Sequence, residues 1–161
     1  MTILITGGAG FIGSTLADKL LSMGKKVAVV DNFNDYYDSE IKENNVKSNL
    51  NNLQYKLYRG DICNRELMRQ IFSENKISTV VHIAARAGVR PSLEDPLEYV
   101  RSNIEGSVNI LENMKNFGVK KLVFASSSSV YGNCSAEKFS ENLKVTEPIS
   151  PYAATKSACE Q

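Results

Sequence analysis

The sequence has no tryptophan, one histidine and three cysteines in 161 residues, and each scarcity closes off a class of function. Cys63, Cys134 and Cys159 make an odd set with no Cys-x-x-Cys pair, which argues against a disulfide framework or a cysteine-rich zinc site; all three read as free thiols. His82 ends an apolar run without evident metal partners, so a packed or hydrogen-bonded residue is the plainer reading, and no metal is expected. An excess of either charge is also missing. Nineteen basic against 18 acidic residues leave a net charge of +1, so nothing pulls the whole chain toward nucleic acid or an anionic membrane, and anion binding must be local. No apolar run approaches the roughly 20 residues of a membrane helix, and the N-terminus has no signal-type stretch, so a cytoplasmic protein is expected. What is present is 42% hydrophobic and 23% charged, the proportions of a globular domain with one compact core.

The apolar pattern alternates between strand and helix. Ile3 to Thr6 is a β-prone run that stops at Gly7-Gly8-Ala9-Gly10. Ile12, Leu16, Leu20 and Met23 then recur at helical spacing, with Gly24 placed to end the helix. Val27 to Val30 is a continuous apolar strand of the doubly buried kind, closed by Asp31. A polar stretch from Asn32 to Asn52, with a short helix around Glu40 to Leu50, reads as an excursion at the sheet edge. A third strand at Tyr55 to Tyr58 follows, then a helix capped by Asn64, and a fourth strand at Thr79 to Ile83. Leu97, Val100, Ile104, Val108, Leu111 and Met114 predict a long amphipathic helix with Pro96 in its first turn and Gly118 at its end. Lys121 to Ala125 is a fifth strand, followed by Ser126 to Ser129, and Ser150-Pro151 opens a last helix that runs to Gln161. Five strands with long crossovers imply an α/β fold, a doubly wound parallel sheet of Rossmann type, in the order 3-2-1-4-5.

Three groups of residues carry chemistry. Gly7, Gly10 and Gly13 lie three apart between a strand and a helix, where glycine permits a tight turn and close approach of the backbone to a diphosphate at the helix N-terminus. A tight strand-helix turn alone would also use them. Asp31 lies about 20 residues further on, at the end of the second strand. There a carboxylate accepts hydrogen bonds from an adenosine ribose and repels a 2′-phosphate, which favours NAD over NADP. Asp61 follows the third strand, where it either reaches adenine or begins the next turn, and Ala84-Ala85 are small enough to let a cofactor lie against the backbone. Tyr152 and Lys156 lie four apart on one helix face, so that an ammonium can favour the phenolate that accepts a hydroxyl proton. The serines at the carboxyl end of the fifth strand stand where open α/β sheets bind ligands.

These motifs together, ILITGGAGFIG, GDI, FASSSSVYG and SPYAATK, resemble the extended short-chain dehydrogenase/reductase family, the NAD-dependent epimerases and dehydratases, over the whole chain. Within it, DNFNDYYD, HIAARAGVRPSLEDP and SNIEGSVNILE are more similar to UDP-glucuronate 4-epimerases than to UDP-galactose 4-epimerases. The resemblance implies NAD as cofactor. It makes Tyr152 the catalytic base, Lys156 its electrostatic partner and ribose ligand, and Ser127 the catalytic serine, with Ser126 and Ser128 as open alternatives. It adds Phe11, Ile12, Asn32, Ile62, Asn103 and Ser126 to the cofactor residues Gly7, Gly10, Gly13, Asp31, Asp61, Ala84 and Ala85. Arg90, Ser127, Ser128 and Tyr152 become the substrate side, although an exposed loop arginine describes Arg90 equally well.

The implied reaction inverts C4 of a UDP-hexuronate through a 4-keto sugar, with no net redox change. Nucleotide-sugar dehydratases and decarboxylases share the glycine motif, the Tyr and the Lys, but usually place an acidic pair where this chain has Ser128-Ser129. A non-enzymatic NAD-binding module is the third reading. Family members are about twice as long, so the chain reads as one incomplete NAD-binding domain, residues 1–161, without the C-terminal substrate domain and inactive by itself. The long helix and the Tyr152 helix resemble a dimer contact of relatives, so a homodimer is expected.

Overall fold

A computed structural model describes residues 1–143 and 147–161. The chain divides into two compact units, residues 1–84 with 108–124 and residues 85–107 with 125–161. The first unit holds a parallel five-stranded sheet in the order β3-β2-β1-β4-β5, the order that the crossovers predict. Its strands are β1 (Thr2–Thr6), β2 (Lys26–Asp31), β3 (Tyr55–Arg59), β4 (Ile77–His82) and β5 (Leu122–Phe124). β5 is shorter than its apolar run, and its Leu122 and Val123 are exposed.

Helices cover both faces of the sheet, and the pleat sorts the side chains between them. Leu4, Ala28, Val30 and Val80 point to one face, against Met68, Ile71 and Phe72 of α3 (Arg65–Glu74) and against Ile110 and Met114. Ile5, Val27 and Val29 point to the other, where Ala17, Leu16 and Leu20 of α1 (Phe11–Ser22) pack. Burying an aliphatic side chain of this size contributes roughly 1.5 to 3 kcal/mol, so the two faces together drive the fold. α2 (Ser39–Lys47) lies between β2 and β3 in the chain and buries only Lys42 and Val46. Asn64 caps α3 through Leu67 N–H at 3.1 Å.

Helix C-termini follow the glycines. Gly24 and Gly118 both have φ of +70°. At each, the glycine N–H and the next residue's N–H return to carbonyls three and five residues back, which satisfies the last turn.

Two apolar stripes differ from the sequence reading. On α1 the inward face is Gly13, Leu16, Ala17 and Leu20, whereas Ile12 and Met23 are 65% and 57% exposed. The cause is Gly13: its missing side chain lets α1 rest on the backbone of the turn before it, which rotates Ile12 outward. The long helix is not regular. It comprises α5 (Pro96–Tyr99), a π-helical turn at Val100–Glu105 and α6 (Gly106–Asn116), and a separate short helix, α4 (Val89–Glu94), precedes it across the non-helical Asp95. Leu97, Val100, Val108 and Leu111 are exposed, and the buried positions are Tyr99, Asn103, Ser107, Asn109, Ile110, Asn113 and Met114. Hydrophobicity alone misassigns this face because polar residues occupy it and find partners: Asn109 donates to Ile62 O at 2.6 Å and Asn113 to Asn109 O at 2.8 Å.

The second unit contains α4, α5, the π turn, a 3₁₀ turn at Ser128–Tyr131 and α7 (Pro151–Glu160). The π turn carries an extra residue. Its Asn103 O accepts from Gly106 N–H and also from the Ser107 hydroxyl and from Cys159 Sγ, the latter at 3.3 Å. Ser150 caps α7 by accepting from Ala153 N–H at 3.1 Å. None of the three cysteines forms a disulfide among the described residues. No helix among the described residues is long and apolar enough to cross a membrane.

Candidate functional site

The glycine turn and the ends of β2 and β3 belong to the first unit. Gly7 sits at φ +69°, where a Cβ would lie 2.8 Å from Ala84 N and 2.9 Å from Ala84 Cα. A Cβ on Gly13 would lie 2.6 Å from Gly8 Cα. The protein's own packing therefore demands both glycines. Gly10 is different. Its φ is −72°, open to any residue, and a Cβ there would meet only Gly7 O at 3.4 Å and Tyr37 Oη at 3.5 Å, ordinary contacts. Gly10 is also the N-cap of α1, which has no side-chain cap and no acid in its first turn. Uncapped amides beside a position free of its own side chain make an anion seat that a diphosphate fits. Phe11, 81% exposed, and Ile12 flank it.

Asp31 ends β2 and is buried. Its Oδ2 accepts from Ala9 N–H at 3.0 Å and its Oδ1 from Phe33 N–H at 2.9 Å, so the turn itself orients the carboxylate. Each oxygen retains a second acceptor direction, which suits ribose hydroxyls. Asn32 Nδ2 donates to Asp61 Oδ2 at 3.4 Å, and Asp61 Oδ1 accepts from Cys63 N–H at 2.8 Å; this joins the ends of β2 and β3. Ile62 is buried in the core, and Ala84 N–H donates to Thr6 O and Thr6 Oγ1, both at 3.1 Å.

His82 is buried with Nδ1 2.6 Å from Thr6 Oγ1. That hydroxyl already accepts from Ile83 N–H and Ala84 N–H, so its proton points to Nδ1 and the imidazole carries its own on Nε2. Histidine is structural here, as its lone position suggests.

The second unit holds the hydroxyl and ammonium groups. Lys156 is buried on α7, and its Nζ donates to Ala125 O at 2.8 Å. Burial lowers its pKa from the ordinary lysine value, opposed by Cys159. Tyr152, one turn earlier on α7 and half-buried, meets Tyr99 edge-on at 6.1 Å. Ser127 Oγ accepts from Ser129 N–H at 3.1 Å and opens the 3₁₀ turn. The Ser126 hydroxyl donates to the Glu160 carboxylate, and Ser128 and Arg90 are exposed.

Asn103 is 2% exposed. Its Oδ1 accepts from Arg86 N–H at 2.7 Å, and its Nδ2 donates to Arg86 O at 3.1 Å and Thr155 Oγ1 at 2.9 Å. Asn103 thus pins the segment after Ala85 to α7, through Thr155, which lies within SPYAATK but carried no role in the sequence reading. Lys42, Tyr37 and Asn45 were also missed. A lysine and an asparagine on a polar helix look solvated, and no pattern marks them as buried or tied.

The model of the family described as GDP-mannose 4,6 dehydratase matches residues 4–161. A UDP-glucuronate 4-epimerase of Thermodesulfobacterium geofontis is 52% identical over 157 residues, 98% of this chain and 48% of the relative. A UDP-glucose 4-epimerase of Haemophilus influenzae is 38% identical over all of this chain and 47% of its own. Among solved structures, the UDP-glucuronic acid 4-epimerase of Bacillus cereus in complex with UDP-glucuronic acid and NAD superposes with a TM-score of 0.90 at 37% identity, over 99% of this chain and 50% of that one. The chain spans about half the length of the relatives it matches.

Proposed function

The chain belongs to the family described as GDP-mannose 4,6 dehydratase, within the extended short-chain dehydrogenases/reductases, and from that premise we propose that it binds NAD and serves a nucleotide-sugar 4-epimerase that inverts C4 of a UDP-hexuronate. The family's description names a dehydratase. The epimerase reading rests on relatives of 52% and 38% identity that carry that activity, and on Ser128-Ser129, where dehydratases usually place acids.

Gly7, Gly10, Phe11, Ile12 and Gly13 would hold the diphosphate, Asp31 and Asn32 the adenosine ribose, and Asp61 and Ile62 the adenine side. Ala84, Ala85, Asn103 and Ser126 complete that set in the family pattern. Bound NAD supplies a hydride acceptor that returns the hydride. The chain's own part is proton handling. Tyr152 accepts the proton of the substrate's 4-hydroxyl as a 4-keto sugar forms and returns it when the opposite epimer is made. Lys156 would serve as its electrostatic partner and hydrogen-bond the cofactor ribose, while Ser127 would donate to the same substrate oxygen. Ser128 and Arg90 lie on the substrate side. We also infer a homodimer, from the resemblance of the long helix and the Tyr152 helix to a dimer contact of relatives, and a cytoplasmic location.

The observation that carries the reading is Gly10, a glycine the protein's packing does not require, at the uncapped end of α1. Titration calorimetry with NAD tests it. The 161 residues are expected to bind NAD at micromolar concentration without turning over UDP-glucuronate, and these residues joined to the C-terminal half of a relative to give UDP-galacturonate, a product lost in Y152F. Failure to bind NAD refutes the proposal, and a 4,6-dehydrated product refutes its reaction class.

A further inference from the structure

Lys42 is the anomaly of the first unit. It lies on a short, polar helix whose other lysine and acids are exposed, yet only 5% of its surface meets solvent. A buried lysine is rare unless its ammonium is partnered. Here Nζ donates to Asn34 O at 2.9 Å and to Asn34 Oδ1 at 2.8 Å, lies 3.9 Å from Asp31 Oδ1 and sits 4.8 Å above the Tyr37 ring. Three residues on, Asn45 donates to Ala9 O at 2.9 Å, within the glycine turn. Lys42, Asn45 and buried Val46 share one helix face. One face of α2 therefore grips the segment after β2 and the turn after β1 together. Between them, the ring of Tyr37 brings its hydroxyl to 3.5 Å from the Cβ position of Gly10.

We infer that α2 is a brace for the dinucleotide site, with Lys42 and Asn45 as positioning residues. Lys42 balances the charge of Asp31 and ties down Asn34, while Asn45 holds the glycine turn. This rests on the NAD reading above. Its physical basis is electrostatic. A carboxylate buried beside the seat of a doubly negative diphosphate repels it; an ammonium at 3.9 Å offsets the repulsion while the carboxylate oxygens stay available to ribose hydroxyls. The other charged or titratable groups facing Asp31 are Tyr37 from its own segment and Tyr55 from β3, the latter also near Asp18 of α1 and Arg59. Asp61 reaches the same end of the sheet through Asn32. No other cation stands as close to the carboxylate among the described residues.

The test is NAD affinity by calorimetry at low and at high salt for the unaltered chain, K42M and N45A, with circular dichroism to verify folding. The unaltered chain should bind with little salt dependence. K42M should bind about tenfold more weakly at low salt, as losing hydrogen bonds to a charged group predicts. Its deficit should shrink at high salt, which screens the uncompensated Asp31 charge from the diphosphate. N45A, which keeps the ion pair, should lose affinity several-fold by the same factor at both salts. If the unaltered chain fails to bind NAD, the functional reading falls and the brace with it. If it binds and K42M matches it with the same salt dependence, only the brace is overturned. If K42M does not fold, N45A decides: unchanged affinity overturns the inference.

Discussion

Substituting Gly10 and Gly7 separately distinguishes a glycine kept for a ligand from one kept for the fold. In G7A the new side chain stands at φ +69°, which is unfavourable by about 1 to 2 kcal/mol for an L-residue. Its Cβ also lies 2.8 Å from Ala84 N, in β4's continuation, where overpacking adds about 1 to 3 kcal/mol. The backbone of Ala84 cannot withdraw, because its N–H is bonded to Thr6. Together these lower stability by roughly 2 to 5 kcal/mol, or Tm by roughly 4 to 20 °C for a chain of this size. In G10A the methyl meets nothing closer than 3.4 Å. The weaker N-cap and the less flexible unfolded chain oppose one another, so stability changes by no more than about 1 kcal/mol. The methyl instead occupies space that a diphosphate at the α1 terminus needs, an overpacking of about 1 to 3 kcal/mol, roughly 5- to 150-fold in the Kd for NAD. Differential scanning calorimetry and NAD titration on both variants give the four numbers. A G10A chain that binds NAD as tightly as the unaltered one, or that loses as much Tm as G7A, refutes the assignment of Gly10 to a ligand.

Other perturbations follow from the same geometry. T6V removes the hydroxyl bonded to the buried His82 Nδ1, so urea denaturation should show a loss of about 1 to 3 kcal/mol. N103A removes three buried hydrogen bonds to Arg86 and Thr155 and should cost about 2 to 4 kcal/mol. N103D, keeping only the acceptor, should recover part of that in the same assay. Lys56, Gln70 and Tyr58 hydrogen-bond the Glu74 carboxylate and hold its pKa down to about 2. Because the folded value lies below the ordinary 4.5, its contribution is present above about pH 4.5 and disappears as the pH falls toward 2. The slope of Tm against pH in that window should be shallower in E74Q, and an NMR titration of the Glu74 carboxyl should report the depressed value directly.

The fold was largely legible because its signals are local. Val27 to Val30 could only be a strand buried on both faces, and Asn64 and Ser150 are caps whose hydrogen bonds form as expected. The periodic stripes were less reliable. Counting apolar residues on the long helix selects Leu97, Val100 and Val108, which are exposed, and passes over Asn103, Asn109 and Asn113, which are buried. Burial of an amide depends on whether a partner stands opposite, and the partners Arg86, Ile62 and Thr155 come from distant parts of the chain. The same holds for α2. Its composition describes a solvated edge helix, whereas Lys42 and Asn45 reach the ends of β1 and β2.

By itself the sequence determined the order of strands, the turns that close helices, and the residue types available for binding a diphosphate and moving a proton. Each of these follows from neighbours within a few positions or from the handedness of the crossovers. Only the tertiary structure decided which glycine is spare, which tautomer His82 adopts, and which lysine is buried beside Asp31. Those outcomes depend on atoms brought to within a few ångströms by folding, and no spacing along the chain encodes such a distance.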